Sequence, residues 1–238
     1  MLFIGLTNNN SMDEEDIIMK IFLLLLPFLL TALIMIYYFD NQFIKLLTKI
    51  FVSGMIISLP ILYFESILLS FRFKPLILYE LYKAVLVTGF LEEISKRYIV
   101  LTNTKAEFYY QEKYSGVVYA VVSALGFVTL ENIFMLLIKE FSLSVSLISL
   151  IGHLIFAIFM GNYLTMSRQS LSIRKRKYYF KMSLVVPIVL HGLFDFIINI
   201  DAYIILLIFF IVLVILLGLI YYKLAIINFI YTKKNKSS

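Results

Sequence analysis

The sequence predicts an all-α fold, a polytopic bundle of membrane-spanning helices, and three observations carry that reading. Of 238 residues, 62% are hydrophobic and 15% charged, whereas a soluble domain is about half apolar and about a quarter charged. The mean hydropathy is +0.96. The apolar residues form continuous runs of about twenty, the length an α-helix needs to cross a bilayer, and not the short alternating segments of a β-barrel. The 17 Tyr, with no Trp, fit the interfacial belts of such a protein. There are no cysteines, which excludes disulfides, thiolate metal ligands and a cysteine nucleophile.

Taken in order, residues 1–16 are a polar tail with Asn8-Asn9-Asn10-Ser11 followed by Asp13-Glu14-Glu15-Asp16. Without a basic start or a small-residue cleavage site, this leader does not read as a signal peptide. Seven spans follow, at 17–39, 50–71, 79–101, 116–138, 146–167, 179–200 and 202–226. Pro27 bends the first, as membrane helices tolerate. The last is the most uniformly apolar and needs no role beyond anchoring. No internal repeat or low-complexity linker divides the chain, so 17–230 is expected to be one transmembrane domain with a basic tail at 231–238.

Basic residues set the orientation. Lys45 and Lys49 follow the first span, Lys105 and Lys113 the third, and Arg168, Arg174, Lys175, Arg176 and Lys177 the fifth; Lys233, Lys234 and Lys236 close the chain. The alternate connections carry Arg72 and Lys74, then Lys139, then none near Asp201. The positive-inside rule therefore predicts an outside N-terminus and a cytosolic C-terminus, which an odd number of spans satisfies. The net charge of +6 reports this topology and gives no reason to expect nucleic-acid binding.

Against this apolar background, the polar residues inside spans stand out, because ionisable groups at membrane depth are costly and default to function. The third span holds Glu92, Glu93, Lys96 and Arg97, the fourth Glu131 and Asn132, the fifth His153, and the sixth His191 and Asp195. Depths measured from each span's middle place Glu92 about 3 Å to the cytosolic side and His191 about 2 Å outward. His153 and Glu131 lie about 5 and 6 Å outward, and Asp195 about 8 Å. Five polar groups from four helices thus share one shallow layer, which is the basis for a candidate site at 89–196. Helical spacing predicts that Asp195 orients His191, that Glu92 pairs with Lys96, and that Glu93 pairs with Arg97. Adjacent glutamates point about 100° apart, so one is expected to face the cavity while a cation holds the other. Each group has a blander account: an ion-pair knot for the third span, an interhelical hydrogen bond for either histidine, helix–helix glue for Asn132, and an interfacial pair for Glu80 and Lys83. Glu65 is left structural.

The series Glu92-Glu93-x-x-Lys96, Gly126-Phe127 with Glu131-Asn132, His153, and His191-x-x-Phe194-Asp195 resembles the PrsW family of intramembrane proteases, a group related to the CAAX prenyl endopeptidases. The resemblance covers about half the chain and all its unusual residues. It implies that Glu92, Glu93, Lys96, Glu131, Asn132, His153, His191 and Asp195 form the catalytic site of a multi-pass protein of the bacterial plasma membrane. It also implies a membrane-tethered protein substrate, in some members an anti-sigma factor. Two departures are visible. Ser115 stands before Gly116 and Tyr119 where many members have Asp, and Arg97 also completes the Glu-Glu-x-x-x-Arg form of the CAAX-type relatives.

These residues permit peptide hydrolysis by activated water. Glu92 or Glu93, shielded from water, is a candidate general base; His153 and His191 would polarise the carbonyl or stabilise the oxyanion; Lys96 would hold the other carboxylate. Glu131, His153 and His191 could instead supply the three protein ligands of a hydrolytic zinc site, leaving water in the fourth position. Alternatives of another kind are a CAAX-type or bacteriocin-processing protease, and an ion- or proton-coupled transporter using the same Glu/His cluster. A transporter is disfavoured by the lack of an inverted repeat. The sequence carries no signal for oligomeric state.

Overall fold

The computed structural model describes residues 14–38, 41–105, 115–138, 142–200 and 202–236. Residues 1–13 of the predicted polar tail lie outside them. The described chain is helical: α1 Glu14–Tyr38, α2 Asn41–Leu69, α3 Leu76–Leu81, a π-helical segment Tyr82–Gly89, α4 Phe90–Asn103, α5 Ser115–Leu137, α6 Leu143–Gln169, α7 Ile173–Asn199 and α8 Tyr203–Lys236. Among the described residues, α1 (over Ile18–Tyr37), α2, α5, α6 and α7 are long and apolar enough to cross a membrane, and α8 carries the shorter apolar stretch Ile204–Leu219.

The predicted third span is present but is not one α-helix. α3, the π segment and α4 form an unbroken helical rod, since Leu81, Tyr82, Gly89 and Phe90 all have right-handed helical backbone angles. π turns recur at functional sites because the wider turn changes which residues face a neighbour. α2 and α7 both begin earlier than predicted, at Asn41 and Ile173. Hydropathy marks where lipid-like sequence starts, whereas backbone hydrogen bonding carries the helix on through Lys45 and through the 174–177 cations.

α5 sits at the centre, against α1, α2, α4 and α6, and is buried on nearly every side. Its small residues allow this, as expected from the sequence. A Cβ added to Gly126 would lie 2.1 Å from the Phe51 carbonyl oxygen of α2, and one on Gly161 would lie 2.3 Å from the Val117 Cα, so α2, α5 and α6 pack backbone to backbone. Two apolar clusters result. One gathers Leu47, Phe51, Val100, Tyr119, Leu125 and Met160 from α2, α4, α5 and α6; the other gathers Phe156, Phe159, Phe194, Leu206 and Leu213 from α6, α7 and α8. α7 packs on α6 and on the π segment. There Gly192 admits Val85, whose Cα would stand 2.9 Å from an added Cβ.

Candidate active site

Lys96 is the hub. The residue is 1% exposed, and its ammonium donates to Glu92 Oε2 at 2.9 Å, to Glu93 Oε1 at 2.9 Å and to His153 Nδ1 at 2.8 Å. An ammonium has three protons and no lone pair, so its donors are matched one to one and His153 Nδ1 must be the acceptor. That leaves His153 Nε2 carrying the proton, which it donates to Glu131 Oε2 at 3.2 Å. On the other side, His191 Nδ1 donates to Glu93 Oε1 at 2.9 Å, while its Nε2 faces Asp195 Oδ2 at 3.5 Å. The Thr88 hydroxyl, on the π segment, donates to the same Asp195 oxygen. One chain of hydrogen bonds therefore runs from Glu131 through His153, Lys96, the two glutamates and His191 to Asp195.

Aromatic rings shield this chain. The Lys96 ammonium lies 4.6 Å from the centre of the Phe127 ring, Phe156 stacks on His191 at 5.0 Å, and the two histidine rings meet edge to face at 5.2 Å. α4 is tied in place from two sides. The Ser123 hydroxyl of α5 donates to the Lys96 carbonyl at 3.2 Å, and Arg97 donates to the Phe180 carbonyl of α7 at 2.8 Å while stacking on the Phe180 ring.

The structure brings seven of the eight predicted residues into that chain. Asn132, the eighth, is buried beside Glu131 on α5 and makes no hydrogen bond to these groups. Two expected pairings change. Lys96 serves both glutamates, where the spacing suggested Lys96 for Glu92 and Arg97 for Glu93; Arg97 instead reaches across to α7. Neither glutamate is left without a cation, so the expected split between one held and one free carboxylate does not occur. Glu80 does pair with Lys83, at 3.7 Å, and Lys83 also donates to Asn199 of α7 at 3.2 Å.

Glu92, Glu93, His153 and His191 are close enough to hold a metal ion, with ligand atoms all within 4.8 Å of one another. Glu131, predicted as a ligand, stands one hydrogen bond outside this group, on His153 Nε2. Charge sets the condition for a metal there. The Lys96 ammonium stands among three of the four ligand groups, so a dication would take that point only with the ammonium displaced. The donor set as arranged is complementary to an ammonium.

Glu65 is the residue that sequence reasoning missed. It lies on the inward stripe of α2 formed by Leu47, Ile50, Phe51, Gly54 and Ser58, two turns beyond Ser58, and is buried. That helical period was the available signal.

The family model described as PrsW family intramembrane metalloprotease matches residues 42–220. The chain belongs to the PrsW family. It is 33% identical over 161 residues to Protease PrsW of Clostridioides difficile, covering 65% of this chain and 68% of that protein. Against Protease PrsW of Bacillus subtilis it is 31% identical over 163 residues, covering 68% and 73%. Against that of Geobacillus kaustophilus it is 28% identical over 170 residues, covering 69% and 73%. No solved structure matches. As a PrsW-family member the chain is an intramembrane protease, a multi-pass protein whose substrate is a protein and whose solvent is in part the lipid bilayer.

Proposed function

We propose that the chain cleaves a membrane-tethered protein, an anti-sigma factor being one class of substrate, with a water molecule activated by Glu92. The observation that carries this reading is the place of Lys96: it holds both glutamates and supplies the positive charge of the site. Glu93 is then a positioning residue, because Lys96 and His191 both donate to its Oε1. Glu92 accepts a single hydrogen bond among the described residues, from Lys96 to Oε2. Glu92 takes a proton from water as the water oxygen attacks the scissile carbonyl carbon. His153 is held by Glu131, and His191 by Glu93 and Asp195; either donates to the developing oxyanion by turning an N–H away from its carboxylate. The C–N bond then breaks, and the proton held by Glu92 passes to the departing amine, so that one water and one peptide bond give an acid and an amine.

The family description names a metalloprotease, and zinc is the second reading. Glu92, Glu93, His153 and His191 would be its ligands once Lys96 had moved away, and zinc would supply Lewis-acid polarisation of the carbonyl. The two readings separate in one experiment on purified protein in lipid nanodiscs, with a fluorogenic single-span peptide as substrate. The Glu92 reading expects full activity in chelator and less than one zinc per ten chains. It expects Glu92→Gln to lower kcat by about a thousandfold or more with KM little changed, and Glu93→Gln to lower it less. One bound zinc per chain, with activity lost on chelation and restored by zinc, would establish the metal reading instead.

We further propose seven spans, with the α3–π–α4 rod and α8 as the third and seventh, an outside N-terminus and a cytosolic C-terminus. The transporter reading has no support in the comparisons and predicts ion flux across liposomes without cleavage.

A further inference from the structure

We infer that Glu65 is a substrate-binding residue, whose Oε1 accepts a hydrogen bond from a main-chain N–H of the segment being cleaved. The inference rests on the cluster around Lys96 being the place of cleavage.

Glu65 is 6% exposed, yet its neighbours Tyr63 and Phe64 are 65% and 55% exposed on the lipid side of α2. Only the inward stripe of the helix carries it under cover. Its carboxyl lies within electrostatic reach of Glu92 and Lys96 on α4, Glu131 on α5 and Asp195 on α7, and α2 packs against α4, α5 and the π segment, which carry Glu92, Lys96, Glu131 and Thr88. Each of the other carboxyl groups of the site has at least one donor inside the protein: Lys96 for Glu92, Lys96 and His191 for Glu93 Oε1, His153 for Glu131, and Thr88 for Asp195; Glu93 Oε2 is, like Glu65 Oε1, buried without one. Glu65 Oε1 is buried with no hydrogen-bonding partner. A buried carboxyl oxygen without a donor is costly.

The chemistry of the substrate supplies the complement. A membrane-spanning segment satisfies its backbone within its own helix, and a peptide bond in a helix is not open to attack by water. Unwinding it at the site frees N–H groups in a place where little water can meet them. An acceptor with no internal donor, close to Glu92 but outside the hydrogen-bonded chain of Lys96, answers that need. A carboxylate also recognises main chain irrespective of side chains, so specificity is expected to come from elsewhere on the substrate.

The experiment uses full-length protein in lipid nanodiscs and the fluorogenic single-span peptide. Glu65→Ala is expected to raise KM about tenfold with kcat within about twofold, and Glu65→Gln, which keeps one acceptor oxygen, is expected to recover most of that loss. Peptide affinity measured in the Glu93→Gln background, with and without Glu65→Ala, is expected to fall about tenfold. This second arm does not depend on turnover. Wild-type cleavage by Glu92→Gln and Glu93→Gln would remove the site reading, whereas unchanged affinity on adding Glu65→Ala would remove only the role of Glu65. A fall in kcat shared by Glu65→Gln and Glu65→Ala with KM unchanged would make Glu65 a proton-transfer group and overturn the inference. So would an affinity loss accompanied by loss of the folded fraction in thermal scans of Glu65→Gln.

Discussion

At the scale of single residues, the site is an accounting of protons around Lys96. A buried ammonium is tolerable when each of its three protons meets an acceptor, and here each does. The converse holds for the two glutamates, which would otherwise be adjacent buried anions. Removing one member of such a cluster costs more than the pairs contribute net, because the survivors stay buried without compensation. Lys96→Met is therefore expected to destabilise the protein by about 3–5 kcal/mol and to abolish measurable cleavage. Adding Glu93→Gln to Lys96→Met should recover part of the stability but none of the activity. Thermal scanning and cleavage rates of the single and double variants check this; additive stability losses would mean that Lys96 and Glu93 are not coupled. That Glu92, Glu93, Lys96, His153 and His191 come together was legible in the sequence, since charge and imidazole inside lipid-soluble helices need a reason. Their pairings were not. Spacing on one helix suggested Arg97 for Glu93, and the actual partners are Lys96, one residue earlier on the same helix, and His191 from another.

At the scale of elements, glycines decide how close the walls stand. Gly126 faces the Phe51 carbonyl and Gly54 faces the Ser123 carbonyl, so α2 and α5 touch along their backbones. Gly126→Ala must push them apart and is expected to cost about 1–3 kcal/mol. Gly218, where an added Cβ meets nothing within 4 Å, is the control and should tolerate alanine without loss. The melting temperatures of the two variants test the comparison. Gly192→Ala acts differently. Its Cβ would press on Val85 of the π segment, at 2.9 Å from the Cα, and would shift the neighbouring His191 and the Thr88–Asp195 contact. A fall in kcat of about tenfold or more, larger than its effect on stability warrants, is expected, since small misplacement of a reacting group is expensive. The small residues were readable as packing positions; the π segment was not, because it follows from how the rod meets α7 and not from any local propensity.

At the scale of the whole molecule, the basic connections imply one orientation in the membrane. The chain has no cysteine, so single cysteines report topology without background. Lys175→Cys, at an exposed position near the start of α7, should react with a membrane-impermeant thiol reagent only from the cytosolic side. Lys74→Cys, exposed between α2 and α3, should react only from outside. Labelling of both from the same face in intact cells and inverted vesicles would reverse the proposed count or orientation.

What the sequence determined by itself was the class of solvent, the helical architecture and the roster of residues with no business in lipid. Those follow from composition and from periodicity, which are properties of the chain taken locally. Only the tertiary structure decided that one ammonium holds both glutamates and a histidine, that Arg97 is a strut to α7, and that Glu65 is buried with an oxygen lacking a donor. Such facts depend on which faces of separate helices come within a few ångströms of one another, and that is set by the glycine contacts and the π segment, far along the chain from the groups they bring together.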